Sequence, residues 1–83
     1  MSQIGEFLSG EVLDISTFYE MSVFTSADLI YPPVIKCSND GILWCTYTNM
    51  MTPYMYLADL MANKIKIEYI ENTVFHYNAN LKK

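Results

Sequence analysis

The run from Lys64 to Ile70 alternates cleanly. Ile65, Ile67 and Tyr69 fall on one side, and Lys66 and Glu68 on the other. A period of two predicts a half-buried strand with one wet face. Val34 to Cys37 and Ile42 to Thr48 are rich in strand formers and flank Ser38-Asn39-Asp40-Gly41. Asn, Asp and Gly accept left-handed backbone angles, so these two runs predict a hairpin. In its second arm Trp44, Thr46 and Thr48 share one face, while Leu43, Cys45 and Tyr47 share the other. Pro32-Pro33 forces an extended lead-in to the first arm. Thr73 to Tyr77 predicts one more strand, with Glu71-Asn72 as its turn, and Glu11 to Ile15 a short one. Ser16 to Phe24 is ambiguous: Phe18, Met21 and Phe24 have helical spacing, but aromatic and β-branched residues favour an extended stretch.

Two segments carry the helical period. Ile4, Phe7 and Leu8 fall at i, i+3 and i+4, which predicts a first helix over Ser2 to Ser9, ended by Gly10 at positive φ. Thr52 is a good N-cap, and Pro53 suits the first helical position. Tyr54, Leu57, Ala58 and Met61 follow at i, i+3, i+4 and i+7, predicting a helix from Pro53 to Ala62 that Asn63 ends. Asn78 to Lys83 reads as a polar, frayed tail. Residues 1–83 are therefore expected to form a single α+β domain. Its small antiparallel sheet is built on the central hairpin, with one or two short helices packed on a face.

Composition adds a tension. The chain has 83 residues, of which 52% are hydrophobic, 14% aromatic and 17% charged. A body this small hides only about 60–65% of its unfolded surface. Apolar surface is left over, and a homo-oligomer or a partner interface is its natural outlet. The net charge is −4, with lysines and no arginine. That balance argues against binding duplex nucleic acid. No run approaches a membrane span, and the first residues lack the basic and apolar regions of a secretion signal, so a cytoplasmic protein with reduced thiols is expected. Simple hairpin registers do not set Cys37 opposite Cys45, which argues against a disulfide.

Catalytic motifs are lacking. His76 is the single histidine, and Gly5, Gly10 and Gly41 lie too far apart for a phosphate loop. Two cysteines and one histidine fall short of a zinc site, and no cofactor is expected. Non-enzymatic binding is the better class. Trp44, with Tyr47, Tyr54 and Tyr56 nearby in sequence, offers rings for a planar ligand. Lys36 on the first arm, with Lys64 and Lys66 on the later strand, would add a small positive spot for one or two phosphates if those strands are neighbours. Otherwise such lysines guard sheet edges, and Trp44 has an equal claim to be a core anchor.

Two stretches carry a family likeness. Ile4-Gly5-Glu6-Phe7-Leu8-Ser9-Gly10-Glu11-Val12 resembles the opening of the phage sponge family called Thoeris anti-defence two. Asp59-Leu60-Met61-Ala62-Asn63-Lys64-Ile65 is similar to its closing motif, and the hairpin with Asp40-Gly41 and Trp44 lies between. Ser16-Thr17-Phe18 stands where the family has a basic-glycine-tryptophan signature, and Ile65 where it closes with tryptophan. The resemblance implies an α+β homo-oligomer that sequesters a cyclic nucleotide signal without cleaving it. It carries over Trp44, Asp59 and Ala62. The expected ligand set is thus Trp44, Lys36, Tyr47, Tyr54, Asp59 and Lys66. The rival expectation is a small acidic phage-type inhibitor whose tyrosine-rich surface docks on a host or bacterial defence protein. An assembly subunit without a ligand stands third.

Overall fold

The computed structural model describes residues 2–58 and 60–82. Eight strands follow in order: β1 Ser2–Leu8, β2 Leu13–Asp14, β3 Phe18–Phe24, β4 Val34–Ser38, β5 Cys45–Asn49, β6 Tyr54–Leu57, β7 Lys64–Glu68 and β8 Val74–Leu81. They form two antiparallel sheets of four strands, ordered β1-β8-β3-β6 (sheet A) and β2-β7-β4-β5 (sheet B). The inner faces of both sheets feed one core. Phe7, Met21, Val23, Leu57, Phe75 and Ala79 come from sheet A, and Ile35, Ile65 and Ile67 from sheet B. The architecture is a two-layer β-sandwich. The expected α+β class is incorrect, since no helix occurs among the described residues.

Each misread segment has a physical explanation. The expected first helix is strand β1, paired with β8 from Ser2↔Asn80 to Leu8↔Val74. Eight residues make a marginal helix, and a full row of sheet bonds outcompetes it. Only Phe7 of the supposed helical face is buried; Ile4 and Leu8 face out. Gly10 does take a positive φ of 83°, but in a turn rather than a helix cap.

The expected helix over Pro53 to Ala62 is replaced by β6, which pairs with β3 from Met21↔Leu57 to Phe24↔Tyr54. Tyr54-Met55-Tyr56-Leu57 also alternates, and pairing with β3 selects that period over the helical one. Tyr54 and Tyr56 point out, whereas Leu57 is buried. Met61, placed by the helical reading on the core face, is 90% exposed.

The extended reading of Ser16 to Phe24 is correct. Its helical spacing arises from a bulge at Tyr19, where the register on β8 shifts between Phe18 and Glu20. The extra residue puts Phe18 and Met21, three apart, on the same inner face. The supposed polar tail belongs largely to β8, a strand flanked on both sides. Asn78 and Asn80 face out, while Ala79 between them is fully buried.

Candidate functional site

The hairpin builds one candidate surface. Ser38 Oγ accepts the Gly41 N–H at 2.8 Å, and Asp40 Oδ1 accepts the N–H groups of Ile42 at 2.8 Å and Leu43 at 3.0 Å. Those backbone donors, with the Ser38 hydroxyl, hold the Asp40 carboxyl below its usual range. Gly41 sits at φ 79°, as the turn signal requires. The turn delivers Trp44 half-buried onto the outer side of sheet B, its Nε1–H donating to the Gly41 carbonyl at 3.2 Å.

The strands bearing the expected lysines are indeed neighbours. Lys36 on β4 lies directly opposite Lys66 on β7. Lys66 Nζ stands 4.4 Å from the centroid of the Trp44 ring. Glu68 lies 4.0 Å from Lys36 Nζ and 3.8 Å from Lys66 Nζ. Two ammonium groups placed opposite each other repel. Here one carboxylate and one aromatic face offset that repulsion.

The other expected ligands scatter. Tyr47 is the bulge residue of β5, where the register on β4 shifts between Ile35 and Lys36. It lines a cavity of about 280 Å³ with Ile15, Cys37, Leu60, Ala62 and Ile65. Tyr54 lies on the outer face of sheet A. Asp59 lies outside the described residues. Of the expected set, Trp44, Lys36 and Lys66 are brought together.

A second surface was not foreseen as a unit. Strand register aligns Glu6, His76, Phe24 and Tyr54 in one row across all four strands of sheet A. The Phe24 ring stacks on His76, with centroids 5.5 Å apart, and on Tyr54, at 6.4 Å. His76 Nδ1 stands 3.5 Å from Glu6 Oε2. The next row is Ile4, Asn78, Ser22 and Tyr56. Ser22 Oγ lies 3.0 Å from Tyr54 Oη. Beyond it, Glu20 accepts hydrogen bonds from the Tyr56 hydroxyl and, at 2.7 Å, from Asn80 Nδ2. These two donors, the tyrosine first, pull the Glu20 carboxyl below its ordinary value.

This face is aromatic and acidic. Ile4, Tyr54 and Tyr56 are more than half exposed. Its carboxylates are Glu6 and Glu20, whereas on sheet B Lys36, Lys64 and Lys66 stand against Glu68 and Asp14, which leaves that face nearly balanced. Alternation at Tyr54 and Tyr56 was the available signal, masked by the helical spacing of the same segment.

Comparison with family models, with curated proteins and with solved structures returns no match.

Proposed function

We propose that this chain is a non-enzymatic binding protein, a small acidic inhibitor of the phage type. It docks the outer face of sheet A on a basic surface of a bacterial defence protein. The observation that carries this reading is the row Glu6–His76–Phe24–Tyr54 with Tyr56 and Ile4 beside it. Tyrosine and histidine rings on a pre-formed sheet give contact area at low entropic cost and keep a polar tip for hydrogen bonds. A sheet face four strands wide and seven residues long covers roughly 440 Å² in projection. That is about half of one side of a standard interface, about 800 Å². Surface beyond the four strands completes the contact, and its strength falls with salt. The phage setting and the defence target rest on the family resemblance.

The test is capture of a partner by immobilised wild type, Tyr54→Ser/Phe24→Ser and Trp44→Ala chains. A polypeptide held by wild type and Trp44→Ala, but lost from the sheet A variant, supports the reading. Capture that survives the sheet A substitutions overturns it. Self-association abolished by those same substitutions would assign the face to a second copy of the chain instead.

The cyclic nucleotide sponge is the second reading, favoured by the meeting of Trp44, Lys36 and Lys66 on sheet B. A base stacks on the indole and phosphate faces the ammonium groups, displacing Glu68 as their counter-ion. Titration with a panel of cyclic nucleotides, read by the fluorescence of Trp44, tests it. Binding that weakens in Lys36→Gln/Lys66→Gln supports it, and a flat titration removes it.

A further inference from the structure

The two cysteines meet in a way that simple hairpin registers do not suggest. The bulge at Tyr47 shifts β5 on β4, and Cys37 becomes the direct partner of Cys45. The sequence-based ground against a disulfide therefore fails. Directly opposed residues of an antiparallel pair have Cα atoms about 4.5–5.5 Å apart, inside the roughly 4.4–6.8 Å that a disulfide spans. Both thiols are free in the structure, Cys45 exposed and Cys37 half-buried. Both border a cavity of about 280 Å³ lined also by Ser38, Asn39, Asp40, Leu43 and Ala62.

We propose that Cys37 and Cys45 form a redox-active dithiol that closes to a cross-strand disulfide by exchange with a small-molecule disulfide. The exposed Cys45 thiolate attacks one sulfur of the small disulfide, forms a mixed disulfide and expels one small thiolate. The Cys37 thiolate then attacks the Cys45 sulfur and expels the second. Two protein thiols are oxidised to one disulfide, and one small disulfide is reduced to two thiols, so atoms and electrons balance. Cys45 is the entry sulfur because solvent reaches it, and Cys37 resolves because it stands opposite. The Asp40 carboxylate on the cavity wall favours a neutral reagent over an anionic one. The bond closes the loop that holds the Ser38–Gly41 turn and Trp44.

The experiment treats the reduced protein with 2-hydroxyethyl disulfide and reads its intact mass and Tm. Wild type is expected to end as a monomer lighter by two hydrogens, with Tm raised by about 5–15 °C as a short loop is closed. Cys37→Ser is expected to stop with one hydroxyethylthio group attached at Cys45. A wild type that accumulates the mixed disulfide, or that cross-links only between chains, would overturn the proposal. The wild-type mass decides the matter whether or not a variant folds poorly.

Discussion

Gly5 offers a sharp test of the packing in sheet A. It lies opposite Tyr77 on the inner side of β1. A Cβ built there would come within 2.6 Å of Tyr77 Oη, 2.7 Å of Cζ and 2.8 Å of Cε1. The ring has little room to yield. Tyr77 is buried, and its centroid lies 6.1 Å from Phe7 and 5.6 Å from Phe18. Overpacking of this kind costs about 1–3 kcal/mol. Because Gly5 does not need a positive φ, Gly5→Ala also stiffens the unfolded chain, offsetting about 0.4–1 kcal/mol. The net expectation is a loss of roughly 1–2 kcal/mol, which lowers Tm by about 5–15 °C in a domain of this size. Thermal unfolding followed by circular dichroism measures it. In the double variant Gly5→Ala/Tyr77→Leu the two losses should be less than additive, since the obstacle is gone. A Gly5→Ala Tm equal to or above wild type would refute the reasoning, and strict additivity would show that the tyrosine ring is not the obstacle.

Leu57→Ala should cost about 2–4 kcal/mol in urea unfolding, as for other buried leucines, whereas Met61→Ala should stay within about 0.5 kcal/mol of wild type; equal losses would restore the helical reading. Lys66→Gln should change the emission of Trp44 and cost about 0.5–1 kcal/mol for a cation–π contact, and an unchanged spectrum would separate the two side chains. Glu20 and Asp40 are held below their ordinary values of 4.5 and 3.8. A depressed folded pKa contributes stability above the unfolded value, lost as pH falls through the folded one. Tm should therefore drop on acidification below about 4.5, less steeply in Glu20→Gln, and parallel curves for the two proteins would contradict the Glu20 bonds.

The strands with one clean period were legible from sequence. Lys64 to Glu68 alternates without rival, and the Ser38–Gly41 turn specifies its own hairpin. Segments that satisfy two periods were not legible. Tyr54 to Met61 carries both a helical and an alternating pattern, and only the partner strand β3 selects between them. Bulges hide in the same way. The extra residue Tyr19 mimics helical spacing, and Tyr47 brings Cys37 opposite Cys45. The meeting of Lys36 and Lys66 was legible as a condition on strand order. The row through Glu6, His76, Phe24 and Tyr54 was not, because it joins four strands from distant parts of the chain.

The proposed binding surface is the outer face of sheet A. Its most direct test is the affinity of the captured partner for wild type and for Tyr54→Ser/Phe24→Ser, by titration calorimetry at low and moderate salt. Both substituted residues are exposed, so the fold should be retained, which far-ultraviolet circular dichroism checks. A loss of tenfold or more, about 1.4 kcal/mol, together with weaker wild-type binding at higher salt, is the expected result. Equal affinity for the two folded proteins would contradict the account.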